Sequence, residues 1–221
     1  MNRATAPQAE PPAEARGRID KRRAILEAAF RVFARDGYGR SCVREIAAEA
    51  DVAKPTVYNH LHDKDTLFQE AVKAAAARTA ERSLTALDPL RDHGGDLRAA
   101  LEQAALEILR AHTCRRAQAL RRLLGTEAPR FPELLEDVQR AGPRRVQDAL
   151  ADRLARLTLA GRLHTPDPDQ ASEQLLALLT GPMELRSALG TRPVPDDELH
   201  AVARAAVATF LTAYGPRGGA E

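Results

Sequence analysis

The sequence predicts an all-α chain, and three observations carry that expectation. Apolar residues recur at three- and four-residue spacing along most of its length. No window alternates Val, Ile and Thr over more than four residues. All but one of the later prolines fall between the periodic segments, where a missing N–H does no harm.

Taken in order, residues 1–17 hold Pro7, Pro11 and Pro12 and no apolar block, so they read as a disordered arm without the hydrophobic region of a secretory signal. Ile25, Ala28, Ala29, Val32 and Phe33 form the stripe of a first helix over about 18–36, closed at Asp36-Gly37, where glycine accepts a left-handed cap conformation. Ser41 offers an N-cap to a short helix running through Ala50. Asp51-Val52-Ala53 is a tight turn before a second short helix near 54–60, and Asp63 caps a longer helix to about Leu84. The stretch from Asp88-Pro89 to His93-Gly94-Gly95 is a loop and the expected domain boundary. Helices follow at about 96–112, 114–126, 132–141, 143–160, 169–189 and 196–214, separated by Pro129, Pro132, Pro143, Pro166, Pro168, Pro193 and Pro195. Pro182 is the exception: it falls inside a periodic segment and is expected to kink or split that helix. The domain reading is thus an arm (1–17), a helix-turn-helix unit (18–62), a connecting helix (63–86), a larger helical domain (87–214) and a flexible tail (215–221).

Composition narrows the function. The 221 residues are 44% hydrophobic and 29% charged with a net charge of +2, which excludes wholesale disorder and a uniformly basic coat. The charge is unevenly placed: residues 1–83 hold 15 Lys and Arg against 12 Asp and Glu, the remainder 18 against 19. Cys42 and Cys114, 72 positions apart, form neither a disulfide framework nor a zinc knuckle and suit a reducing, cytoplasmic compartment. Charged residues interrupt every Leu/Ala run before the roughly 18 consecutive apolar residues of a membrane span.

From Val43 to Leu61 the layout is that of a helix-turn-helix. Ile46, Ala50, Val52 and Val57 let two short helices bury one shared face, Ala47 is small where they cross, and Asp51 sits at the turn position that takes a positive φ. An ordinary helical hairpin without a ligand fits the same pattern. The wider context, Ile25-Leu26-Glu27-Ala28-Ala29, Phe33 to Tyr38, Ser41 to Ala47, Val52 to Leu61 and Lys64-Asp65-Thr66-Leu67-Phe68, resembles the TetR family of transcriptional regulators over residues 20–70. It departs at Asp51 and Pro55, where glycine is common, at Ala53 in place of a capping serine, and at Leu61 in place of phenylalanine.

The resemblance implies that Lys54 to His60 is a recognition helix and that Tyr58 and His60 anchor phosphates, with Lys64 as a further point of backbone neutralisation. Pro55 fits the first turn and leaves Lys54 and Thr56 near phosphate, Val57 faces inward, and Asn59 and Arg44 remain to pair with adenine and guanine. Ser41, entering the hairpin, completes the DNA-contacting set. Arg16, Arg18, Lys21, Arg22 and Arg23 either follow the DNA backbone or are simply solvated.

One small helix-turn-helix reads few base pairs, so a homodimer on a palindromic operator is expected. The last two helices carry apolar stripes, Leu175, Leu176, Leu179 and Met183 on one and Leu199, Val202, Ala206, Phe210 and Ala213 on the other. Each stripe serves equally inside one subunit, and the family resemblance favours a four-helix dimer seam there. Leu97, Leu101, Ala104, Ala105, Ile108 and His112 share a face, making His112 either a pocket group or a core histidine with its bonds satisfied. Ile108, Cys114, Gln118, Leu124 and Phe131 are candidates for the same cavity as His112, as are Leu150, Arg153, Leu154 and Met183. Phe131 is the one aromatic among these, which favours an apolar, aliphatic or acyl-like effector over a stacked planar one. The runs Leu123 to Leu134 and Gly142 to Val146 are similar to the effector domain of the AefR-like branch of that family.

No P-loop, GxGxxG, GxSxG or HExxH is present, and His60-Leu61-His62 lacks the spacing of a helical metal pair, so no enzyme, cofactor or metal is expected. A ligand-responsive repressor is the leading reading. A transcriptional activator of the same family and a helical protein-interaction adaptor remain as alternatives.

Overall fold

A computed structural model of the chain describes residues 13–91, 94–188 and 190–216. In them the chain forms α1 (Ala13–Arg40), α2 (Val43–Glu49), α3 (Lys54–His60), α4 (Lys64–Thr85), α5 (Leu97–Thr113), α6 (Arg115–Glu127), α7 (Leu134–Ala141), α8 (Pro143–Leu159), α9 (Pro168–Arg186) and α10 (Asp196–Tyr214), with a 3-10 turn at Asp88–Arg91 and no strand. The all-α expectation holds. Two compact units divide the chain between Ala71 and Val72, inside α4 and not at the loop around residue 90. Apolar residues continue through that point, Leu67, Phe68, Ala71, Val72, Ala75 and Ala76 all being buried, so no composition shift marks it.

In the first unit α1 buries Ile25, Phe30, Val32 and Phe33, and α2 and α3 contribute Val43, Ile46, Ala47 and Val57. Helix α1 begins at Ala13, five residues before the expected start; the rest of the expected arm, residues 1–12, lies outside the described residues. At Gly37 φ is 78° and ψ is 164°, so the backbone leaves the helix in a region that glycine tolerates and makes one more helical turn to Arg40. Phe33, Tyr38 and Phe68 pack as an aromatic trio, with centroids 5.0 Å apart for Phe33–Phe68 and 5.1 Å for Tyr38–Phe68. The Tyr38 hydroxyl donates to Asp65, and Asp63 caps α4 by accepting from the Thr66 N–H at 2.7 Å.

In the second unit α5 packs on α10 and α8 on α9 around Leu101, Leu109, Leu150, Leu154, Leu179 and Phe210. Asp96 and Asp167 cap α5 and α9 through the N–H groups of Ala99 and Gln170. Of the two outcomes expected at Pro182, splitting does not occur: α9 runs through it as one helix. The carbonyl that loses its partner belongs to Leu178, an exposed residue where water can replace the missing N–H.

The proposed dimer seam also needs correction. Leu175, Leu179, Leu199, Val202, Ala206 and Phe210 are all buried in this unit's own core, so the stripes that looked free in the sequence are already in use within one subunit. The faces left uncovered carry Leu178 and Leu185 on α9 and Ala201, Ala205 and Ala208 on α10. The tail from residue 217 onward lies outside the described residues.

Candidate nucleic-acid interface and helix-bundle cavity

Helix α3 has one buried residue, Val57, and presents the rest of its side chains outward. The turn before it takes Asp51 to φ 54°, the positive value expected there, and the Val52 N–H closes onto the Ala47 carbonyl at 3.0 Å. Pro55 lies in the first turn, where the helix needs no N–H. Lys54 sits 5.7 Å from the centre of the Tyr58 ring, and Tyr58 itself is 39% exposed, which leaves its hydroxyl free of the core. Arg44 on α2 and Asn59 on α3 are exposed, and with Thr56 and His60 their side chains make no hydrogen bond or ion pair to other described residues. Two short helices crossing at a small residue, with unpaired polar side chains on the outer face, define a helix-turn-helix of the DNA-binding class.

Two of the expected contacts are otherwise engaged. Ser41 is buried and donates its hydroxyl to the Tyr38 carbonyl at 2.8 Å. The N-cap is Cys42, whose N–H is accepted by Glu45, so Ser41 neither caps α2 nor reaches the surface. Lys64 donates from Nζ to the Ser41 carbonyl at 2.6 Å and lies 4.5 Å from the centre of the Tyr38 ring. It fastens the start of α4 to the α1–α2 connection, a structural task that the sequence reading missed. Among the basic residues of α1, Arg22 pairs with Glu70 at 2.7 Å, whereas Arg18, Lys21 and Arg23 are exposed on the helix surface and do not form a loose arm.

The second unit holds a cavity of about 550 Å³, open to solvent on one side, among α4, α5, α6, α7, the start of α8, and α9. Its wall is mostly aliphatic, with Ala80, Ile108, Leu120, Leu124, Val138 and Val146 among the lining residues, and no aromatic side chain takes part. Where α8 begins, a Cβ on Gly142 would stand 3.1 Å from the Ala76 carbonyl oxygen of α4, so glycine permits this close approach of two backbones. Lys73 of α4 and Asp137 of α7 add an ion pair at 3.6 Å beside it.

Of the ten residues expected around a cavity, Ile108, His112 and Leu124 line this one. Leu150, Leu154 and Met183 belong instead to the core. On α9 the lining residues are Leu176, Thr180 and Glu184, each one position after the core residues Leu175, Leu179 and Met183, and one residue is 100° of helix. On α8 only Val146 and Pro143 reach the cavity; Leu150 and Leu154 lie one and two further turns away. Cys114 joins α5 to α6, the Gln118 side chain stands against Gly190, and Phe131 is buried in the α6–α7 connection with Arg130 over its ring. Arg153 is tied to Asp152 at 2.9 Å.

Arg121 is the wall residue that sequence reasoning missed, although its signal was present. Ala117, Leu120, Arg121 and Leu124 fall at the spacing of one helical face, so an arginine stands on an apolar stripe just as His112 does on α5. Its guanidinium donates to the His112 carbonyl at 3.0 Å, satisfying an orphan group at the end of α5. Burial, with the Arg121 charge adding to it, pushes the His112 imidazole down to about 4, so it is neutral at physiological pH. Its Nε2 is shielded from solvent and has no hydrogen-bond partner. Burial likewise lowers the Arg121 pKa against the opposing pull of Glu184.

Comparison with known proteins places these features in one family. A model of the AefR-like transcriptional repressor C-terminal domain matches residues 99–216, and one of the tetR family of bacterial regulatory proteins matches residues 25–71. A TetR-family regulator of Mesorhizobium loti superposes with a TM-score of 0.84 at 31% identity, covering 90% of this chain and 98% of that one. The flavonoid-responsive regulator FrrA superposes at 0.72 with 28% identity, covering 90% and 99%. The repressor AcnR of Corynebacterium efficiens is 35% identical over 63 residues, 28% of this chain and 34% of AcnR. The nicotine-responsive repressor HdnoR of Paenarthrobacter nicotinovorans is 33% identical over 81 residues, 37% of this chain and 40% of HdnoR. The chain thus spans about a third to two fifths of the length of these curated relatives.

The chain belongs to the TetR family of transcriptional regulators, with an AefR-like C-terminal domain. Its relatives are regulators and not enzymes, and members of the family bind DNA operators and function as dimers.

Proposed function

We propose that the protein is a cytoplasmic, homodimeric repressor that binds a palindromic operator and releases it when a small molecule enters the cavity of the second unit. The observation that carries the DNA reading is the outward row Lys54, Thr56, Tyr58, Asn59 and His60 beside Arg44, of which only Lys54 and Tyr58 touch each other. Such side chains stay solvated in the free protein and can be exchanged onto phosphates and base edges at little desolvation cost. No helix among the described residues is long and apolar enough to cross a membrane, in keeping with a reader of genomic DNA.

For the dimer, the outer faces of α9 and α10 supply the seam. Leu185 is 86% exposed, and the alanines of α10 allow two helices to approach closely. For regulation, α4 is the coupling element: it enters the first unit at Lys64, and its residues Ala76, Thr79, Ala80 and Ser83 form one wall of the cavity. A ligand that prefers a displaced α4 needs a coupling of only ~1–3 kcal/mol to relieve repression.

Selection of bound sequences from random duplex DNA, followed by titration of salt, tests the proposal. An inverted repeat bound with a steep salt dependence is the expected result; binding of no duplex, or of all duplexes equally, would refute it.

A further inference from the structure

The cavity is not uniformly greasy. Its polar wall brings together two groups left incomplete by the fold: His112 Nε2, buried without a partner, and the half-buried Arg121, whose guanidinium makes a single hydrogen bond and no ion pair within 4 Å. A guanidinium offers five N–H donors, so most of its capacity is unused. The other charged residue on the wall, Glu184, is exposed and therefore screened by water, and it borders a smaller groove that Arg121, Arg122, Ser187 and Gly190 also line. A half-buried cation with no ion pair, beside a solvated carboxylate, favours an anionic guest over a cationic one. The hydroxyl of Thr180 is turned back to the Leu176 carbonyl and that of Thr79 to Ala75, so neither competes for the guest's head group. Apart from the buried Ser83 and the exposed Gln139 the rest of the wall is aliphatic, without a ring for stacking or for caging a quaternary amine.

We infer that the occupant is an aliphatic carboxylic acid, its carboxylate held by Arg121 and His112 Nε2 and its chain packed along Ile108, Leu120, Leu124, Val138 and Val146. This rests on the reading of the cavity as the effector site and names its ligand class. Arg121 supplies charge-assisted hydrogen bonds, and His112, in the tautomer that carries its proton on Nε2, supplies that N–H as a donor. A volume of about 550 Å³ accommodates a medium-length chain with its head group.

The test uses three probes of equal chain length, decanoate, 1-decanol and decylamine, titrated by calorimetry into the full-length protein without DNA at pH 7.5. Decanoate is expected to bind at least about tenfold more tightly than the other two, which is what one well-made charged hydrogen bond provides. Arg121→Gln should bring decanoate to the level of decanol while leaving decanol itself unchanged, and Arg121→Lys should keep most of the preference. Melting curves of both variants show that the fold is intact. Equal or weaker binding of decanoate, a preference for decylamine, a preference that survives Arg121→Gln, or no binding of any probe would each overturn the inference. Operator release, followed separately by fluorescence anisotropy, distinguishes the two levels: decanoate selected by Arg121 without operator release supports the ligand class and sinks the effector reading, whereas release by decanol and decanoate alike does the reverse.

Discussion

The two units treat their polar side chains in opposite ways. On α2 and α3, Arg44, Asn59 and His60 project outward without partners, so water satisfies them until a larger ligand replaces it. In the second unit, His112 and Arg121 are incomplete on an inner wall, where little water compensates them and the incompleteness costs stability. An exposed recognition surface can be assembled on a seven-residue helix anchored by Val57 alone. An internal site needs six helices to build the wall and a core behind it to hold the wall in place.

Four measurements sharpen or break this contrast. The largest effect is expected in the core behind the cavity. Phe210→Ala should cost ~3–5 kcal/mol by denaturant unfolding, and Leu185→Glu, on the outer face, should leave folding intact while sedimentation shows a monomer. If Phe210→Ala were tolerated, the stripes of α9 and α10 would be intersubunit after all. Next, Asn59→Ala and Arg44→Ala should each relax selection at particular operator positions by ~1–3 kcal/mol, whereas Tyr58→Ala and His60→Ala weaken all duplexes alike. Uniform losses for all four would remove the distinction between reading and anchoring.

A pH effect of similar size belongs to the second unit. Because the folded His112 titrates at about 4, below its ordinary value of 6.5, the unfolded chain takes up the proton first as the pH falls. Stability is therefore lost between pH 6.5 and 4, by about 2 kcal/mol at pH 5, and His112→Gln should remove that part of the slope. Equal slopes in the two proteins would show that the imidazole is not held neutral. The smallest effect concerns the hairpin: Asp51→Gly, at φ 54°, should stabilise the first unit by up to ~1 kcal/mol without altering operator choice.

Local signals in the sequence were sufficient wherever a residue's role depends on its immediate neighbours. The positive φ of Asp51, the cap at Asp63, the bounds of α3 and the inward Val57 each follow from a few adjacent residues. Ser41 turns its hydroxyl to the Tyr38 carbonyl only three residues back, a local bond that competes with the capping its residue type suggests, whereas Lys64 meets the Ser41 carbonyl, 23 positions away, only through the fold. Periodicity located the apolar stripes of α9 and α10 correctly but could not say which surface covers them, since a stripe facing its own core and one facing a second copy look alike in sequence. The cavity was half legible for the same reason. His112 stood out as a polar residue on an apolar face, and Arg121 carried the identical signal one helix later, while Thr180 and Glu184 emerged only from the one-residue rotation between the two faces of α9.

The meeting of Gly142 with Ala76 gives the cavity a direction. At that corner the backbones of α4 and α8 already touch, so the space between them has no room to shrink, and the ion pair of Lys73 with Asp137 is long enough at 3.6 Å to stretch or part. Were a guest to widen the cavity, the room would have to come from movement away from this corner, since the two backbones already meet there. Gly142→Ala, whose methyl would stand 3.1 Å from the Ala76 carbonyl oxygen, would ask a few tenths of an ångström of α4 or α8 with no ligand present.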